Sequence, residues 1–287
     1  MATTSATVTS IRQLLKDNPV KLQLGAAQSD TTDETTTLIG ADISKVQTGM
    51  TLEHDDATGE MRRVLSVDQT ASTMEAERGY YGSTAATHSN STYLLINPRF
   101  PYNEVTQCIT RALDVFYDEG VYDIIERELT SSATTDVYNA PAASIREVLS
   151  IAMKPTGFNE AVYISNFDPY PRNVDTDLYA SGLSIRISEV YGTAGTDIYY
   201  LNCKEKLTIS TITSEQERIL HDLVCADLIE TEVLKRLAGP TNQGDRTVRS
   251  SEFLQAAAIK RERAMRALRV QASNLRSLYP LKRNFRY

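Results

Sequence analysis

The hydrophobic period of this 287-residue chain switches repeatedly between that of a helix and that of a strand. Val105, Cys108, Ile109, Ala112, Leu113 and Phe116 recur at the three-to-four spacing of one helical face. Asn103 stands where an N-cap belongs, and Gly120 lies just past the expected end. On both sides of this stripe the period drops to two. Upstream, Thr51–Glu53, Met61–Val67 and Thr92–Ile96 read as strands, with Met61, Leu65 and Val67 on one face. Gly40, Gly49, Gly59, Gly79 and Gly82 punctuate them, and 17 of the first 92 residues are Thr, a composition that disfavours long helices. Downstream, Leu149, Ile151 and Met153 alternate, as do residues Leu183–Ser188, and Tyr199–Leu201 and Leu207–Ile209 are further strand candidates. Between them, the Pro-, Asn- and Asp-rich stretch Asn166–Asp177 predicts a surface loop.

Helices bracket these segments. Ser10 and Gln13 have capping-box spacing, Ile11, Leu14 and Leu15 share a face, and Asn18-Pro19 ends the pattern. Near the C-terminus, Ser214 and Glu217 form a second capping-box pair, Ile219 to Leu237 carry the apolar face, and Gly239-Pro240 stop it. After the polar linker Thr241–Thr247, a last helix is predicted over Ser251–Leu275, with Leu254, Ala258, Met265, Leu268 and Ala272 on one stripe. The expected architecture is α+β: a helical-bundle core built from separated segments, with two inserted β units. The boundaries read as an N-terminal helix and linker (1–30), an inserted β module (31–97), a core helix (98–123), an inserted β domain (124–213), a C-terminal helix pair (214–276) and a basic aromatic tail (277–287).

Charge is unevenly placed. Residues 260–287 hold nine Lys/Arg against one acid, Glu262, for +8; because the whole chain is −7, the remainder carries −15. An acidic body with a basic end fits self-assembly or docking on an acidic surface better than a general coat for nucleic acid. No apolar run approaches the ~20 residues of a membrane helix, so no membrane partner is expected. The opening Met1–Thr7 has neither basic patch nor apolar core, which predicts no secretory signal. Three widely spaced cysteines (Cys108, Cys203, Cys225) give no disulfide framework and no Cys-x-x-Cys site; Cys108 and Cys225 read as small buried hydrophobes.

The segment Glu60–Val67, followed by a turn and by Met74–His88, carries a resemblance. Arg78-Gly79-Tyr80-Tyr81-Gly82-Ser83-Thr84-Ala85-Ala86-Thr87-His88 resembles the Arg-Gly-x-x-Gly-Thr-x-Ala-x-x-His turn of neck proteins of tailed bacteriophages. It departs from that pattern at Ser83-Thr84 and at Asn90-Ser91, which replaces a closing Gly. Phe100–Tyr117 is similar to the first long helix of head–tail connector adaptors, and the C-terminal helix pair with its basic tail resembles the rest of that layout.

The resemblance implies a virion structural protein of the head–tail neck, assembled in the host cytoplasm. Subunits would form a ring, usually twelve-fold, beneath the portal protein, lengthen the channel through which DNA passes, and meet a downstream neck or tail protein. It implies no catalysis and no cofactor. The expected portal-docking residues are Arg263, Arg266, Arg269, Arg276, Tyr279, Lys282, Arg283, Phe285, Arg286 and Tyr287, where aromatic anchors sit among cations. The β-module turn motif is Arg78, Gly79, Gly82, Thr84 and His88.

Other chemistry finds little support in the residues. The turn lacks the Gly-Lys-Ser/Thr of a phosphate loop and the three glycines of a dinucleotide fingerprint. His54 and His88 have no partners at metal-ligand sequence spacing. Asp55-Asp56 and Asp30, Asp33 and Glu34 lack an EF-hand pattern, and no Gly-x-Ser-x-Gly elbow occurs. A stopper or tail-completion protein, or a receptor- or glycan-binding virion module, are the alternatives; the absence of Trp weighs against the last.

Overall fold

The structure is a computed structural model that describes residues 3–28, 31–32, 34–90, 92–130, 137–139, 145–154, 162–164, 167–168, 184–187, 198–238 and 244–278. It contains two compact units, Met1–Ala112 with Ile212–Ala267, and Leu113–Thr211 with Leu268–Tyr287.

In the first unit, helix α1 (Thr4–Leu14) starts earlier than Ser10, because the Thr3 side chain caps it by accepting from Ala6 N at 3.2 Å. Six short strands follow: β1 (Val20–Gln23), β2 (Thr35–Thr37), β3 (Thr51–His54), β4 (Met61–Asp68), β5 (Thr73–Glu77) and β6 (Tyr93–Ile96). They form one antiparallel sheet in the order β1-β6-β3-β4-β5-β2. The sheet curls until its two edges meet. Gly25 N donates to Thr37 O at 2.9 Å, Ile39 N donates to Gln23 O at 3.1 Å, and Leu24 bridges Leu38. Joining the edges in this way leaves little exposed backbone for non-native pairing.

Inside the curl, Leu22, Leu24, Leu38, Ile43, Val46, Leu52, Val64, Met74 and Leu94 make one apolar cluster. Each such side chain contributes about 1.5–3 kcal/mol on burial, so this cluster dominates the local energetics. The alternation within β4 is out of phase with the sequence reading: Val64 is buried and Leu65 is exposed. The cause is a register shift opposite β5 between Val64 and Ser66, a bulge that leaves Leu65 outside.

The sheet is tied to its neighbours by a buried ion pair. Arg12 of α1 reaches Glu53 of β3 at 2.6 Å and donates to Phe100 O, while the other Glu53 oxygen accepts from Tyr102 N at 2.7 Å. Tyr102 opens α2 (Tyr102–Asp118), so Asn103 lies within the first turn and does not cap it. Burial pushes the Glu53 carboxyl up, against the pull of Arg12 and the Tyr102 amide. Helix α3 (Ser214–Ala238) starts one residue beyond its cap: Thr213 and Gln216 form the box, with Gln216 Oε1 accepting from Thr213 N at 2.8 Å and Thr213 Oγ1 accepting from Gln216 N at 3.3 Å. Its residues Ile219, Leu220, Leu223, Val224, Cys225 and Leu228 are buried, and α1 packs on it.

In the second unit, β7 (Asp123–Thr130), β9 (Ile145–Lys154), β10 (Val162–Ile164) and β13 (Ile198–Glu205) form an antiparallel sheet ordered β10-β9-β13-β7. The short strands β8 (Val137–Asn139), β11 (Phe167–Asp168) and β12 (Ser184–Ile187) form another, ordered β11-β12-β8. Tyr138, Val148, Ile151, Met153, Ile185, Ile187, Tyr199 and Leu201 share its apolar core. A bulge again corrects the sequence reading. Ser150 faces Asn202 and Val148 faces Cys203, so Leu149 is skipped and Val148 takes the inward place.

The expectation of a helical-bundle core carrying two β insertions is overturned. The described residues form six-, four- and three-stranded antiparallel sheets beside four helices, and apolar clusters lie inside the β units themselves. The strands are short and interrupted by bulges, so their share of the core is hidden from a count of long amphipathic stripes. Helix α4 (Gly244–Leu278) starts seven residues before Ser251. Its buried stripe is Ala257, Ala264, Leu268 and Ala272, whereas Leu254 and Ala258 are exposed. Leu207–Ile209 is not a strand. Most of the expected loop 166–177 and the tail 279–287 lie outside the described residues.

Edge closure sets a test. An ideal Cβ at Gly25 would stand 2.9 Å from Leu38 O, so Gly25→Ala is expected to lower stability by about 1–3 kcal/mol, read as a lower urea midpoint. An unchanged midpoint would mean that the edges do not meet there.

Candidate functional site

The turn motif folds onto the barrel around one carboxylate. Glu60 lies just before β4 and is fully buried. It accepts from Arg78 Nε at 2.9 Å and Nη2 at 2.7 Å, from Ala86 N at 2.9 Å and from His88 Nε2 at 2.7 Å. The Arg62 guanidinium, also buried, stands 3.4 Å away and donates to Thr36 Oγ1 at 2.7 Å. Arg78 also donates to Ala86 O.

Three places of special backbone make this possible. Gly79 (φ +63) leaves β5 in the left-handed region, and a Cβ there would stand 3.1 Å from Ser83 O. Gly82 (φ +75) closes the turn, and Ser83 Oγ then accepts from Met61 N at 2.8 Å. Gly59 (φ +55) lets the Tyr102 ring lie against the backbone, where a Cβ would clash at 2.4 Å. Thr84 is exposed on the run from the turn to His88, and His88 exchanges backbone hydrogen bonds with Gln28 at 2.8 Å each.

His88 is held at both ring nitrogens by carboxylates, Nδ1 by Asp56 at 2.7 Å and Nε2 by Glu60 at 2.7 Å. Burial opposes its positive charge, but the two carboxylates outweigh burial and raise its pKa. Burial would likewise raise the two acids. Hydrogen bonds from His88 and Thr58 pull Asp56 below the usual carboxylate range, and Arg78, His88 and the Ala86 amide do the same for Glu60.

His54 is the opposite case. Its ring stacks on His88 at a centroid distance of 3.3 Å and an interplanar angle of 3°. It is fully buried, and neither nitrogen has a hydrogen-bond partner. Burial first, then Arg62 and His88, push its pKa down to about 2, so it is neutral. Sequence spacing treats the two histidines as unconnected, since 33 residues separate them. The signal that points to the cluster is subtler: Glu53, His54, Glu60 and Arg62 are polar residues buried in or beside the paired strands β3 and β4, where buried side chains are mostly apolar.

The basic residues of α4 pair with acidic side chains of the same chain. Arg263 pairs with Asp222 of α3, and Lys260 reaches the same carboxylate at 3.1 Å. Arg261 pairs with Asp227 at 2.6 Å and Glu230 at 2.8 Å. Arg266 pairs with Glu262, and in the second unit Arg269 pairs with Glu119 at 3.3 Å while Arg276 lies beside Gly120. The side chains of Arg263, Arg266 and Arg269 stay about two-thirds exposed or more; such pairs are worth about 0–1 kcal/mol and exchange partners readily. Tyr279, Lys282, Arg283, Phe285, Arg286 and Tyr287 lie outside the described residues.

The Glu60 cluster yields a direct test. Glu60→Gln leaves Arg62, Arg78 and His88 without their shared anion, and the expected loss is about 3–5 kcal/mol, measured by denaturant unfolding. A loss below about 1 kcal/mol, the range of exposed pairs, would contradict the buried network.

No family model matches this chain, and no curated protein matches it. Among solved structures, a chain described as "Neck of empty GTA particle computed with C6 symmetry" overlaps it at 9% identity and a TM-score of 0.23, over 50% of this chain and 70% of that one. An overlap of that extent carries neither fold nor function across.

Proposed function

We propose that the chain is a structural subunit of the neck of a tailed-phage-like particle. It acts as a head-to-tail adaptor: copies form a ring, twelve-fold in the adaptor layout, beneath a portal vertex, extend the DNA channel, meet a downstream neck or tail protein, and catalyse no reaction. The observation that carries this reading is apolar surface left bare on the two C-terminal helices. Leu234 of α3 and Phe253, Leu254, Ile259 and Val270 of α4 are between 39% and 64% exposed. Clusters of exposed large hydrophobic side chains mark surfaces that another molecule covers, and a second copy of the same helices is the natural cover in a ring.

Two further facts agree with it. The resemblance of Arg78–His88 to the neck-protein turn falls on residues that pin that turn to a β barrel around Glu60, a use of buried charge suited to a rigid structural part. The −15 body and the +8 terminal segment are complementary between neighbours and toward an acidic vertex protein. The negative charge of the body around a channel would repel DNA and let it slide.

The test is removal of the terminal residues. A chain lacking Leu278–Tyr287 is expected to keep its unfolding midpoint and to lose capture by portal protein in a pull-down. Undiminished capture would overturn the docking role; a stopper or tail-completion role would show instead as co-purification with tails made without heads.

A further inference from the structure

We propose that His54, Asp56 and His88 form a binding site for a divalent transition-metal ion, with zinc the ion whose ligand preference fits. This goes beyond the neck reading and does not depend on it.

The donor atoms come first. One ligand-capable atom from each of the three side chains lies within 4.8 Å of the other two. Zinc bonds of about 2.0–2.2 Å set ligand atoms roughly 3.4 Å apart in a tetrahedron, so small side-chain rotations close the set. Two imidazoles and a carboxylate match zinc and its first-row neighbours; calcium and magnesium prefer all-oxygen shells.

The second observation is independent of proximity. His54 is wholly buried, and both of its ring nitrogens lack hydrogen-bond partners. A buried polar group left unsatisfied is destabilising by about 1–3 kcal/mol, and native proteins rarely keep one without a use. A metal ion on one His54 nitrogen relieves that penalty for one of the two.

The surrounding residues supply what metal ligands ordinarily have behind them. His88 Nε2 is fixed by Glu60 at 2.7 Å, which directs Nδ1 toward Asp56. Glu60 is in turn held by Arg78 and by the Ala86 amide. A carboxylate behind a ligating histidine sets ring orientation and strengthens the ligand. Asp56 is anchored by Thr58 N on its other oxygen at 2.9 Å, and its side chain is 27% exposed, which gives the ion a way in from solvent. Parallel rings do not aim their in-plane lone pairs at one point, so binding tilts His54 out of its stack on His88. The ion would fasten the β3–β4 turn to the segment that ends at Gln28 and His88.

The experiment uses the full chain, stripped with chelator, then titrated with zinc chloride by calorimetry and desalted for metal analysis. Expected are about one tightly held zinc ion per chain, a higher unfolding temperature with zinc, and no such effect from magnesium. Asp56→Asn and His54→Ala are each expected to weaken zinc binding on the order of 100-fold. Asp56→Asn, at a partly exposed position, is expected to stay folded with a somewhat lower midpoint, since it loses one charge-assisted partner of His88; a cooperative zinc-free unfolding transition verifies this. Absence of retained zinc in the parent protein, or equal binding by parent and Asp56→Asn, would overturn the proposal.

Discussion

The buried carboxylate of Glu60 is the constraint around which the first unit is arranged. An anion removed from water is tolerable only if charge and hydrogen bonds replace the solvent it loses. Arg78 supplies a two-pronged guanidinium, His88 an imidazole, Ala86 an amide, and Arg62 a second cation at 3.4 Å. These partners come from both ends of the turn motif and from β4. Satisfying Glu60 therefore fixes the turn, and the left-handed glycines at 79 and 82 are what let the chain comply. Arg12, Glu53 and the start of α2 repeat the device on the other side of β3. Burial of ions adds little net stability, but it makes wrong registers expensive.

Much of the local structure was legible in the sequence, and the failures have specific causes. The stripe from Val105 to Phe116 is helical and buried in α2, because six apolar residues at one spacing leave no competing period. The alternation in β12 is also visible, with Ile185 and Ile187 fully buried. At Leu65 and Leu149 the alternation rule was applied across a bulge, and a bulge moves one residue out of phase without a clear mark in composition. Capping residues were placed inside α1 and α3, where Thr3 and Thr213 do the work, since several Ser and Thr compete near each start.

The larger misreading was of architecture. Long helices announce themselves by periodicity, whereas short strands that close on each other reveal their core only through pairing that no local window contains. Hence the expectation of a helical bundle gave way to β units with their own interiors. The histidines were missed for the same reason: His54 and His88 meet only because β3, β4 and the turn after β5 converge. On α4, Asp222, Asp227, Glu230 and Glu119 pair with several of the cations within the chain, partners that lie too far away in sequence for a local window to pair. Phe253, Leu254, Ile259 and Val270 of the same helix are exposed beside these cations, and this apolar surface is what bears on assembly.

Assembly through these helices is tested most directly by electron microscopy of the full chain mixed with portal protein. The account predicts a closed ring of subunits seated on one end of the portal, with the bare faces of the C-terminal helices at the contacts between copies. A chain that stays a 31.9 kDa monomer beside undecorated portals, with those faces open to solvent, would contradict it.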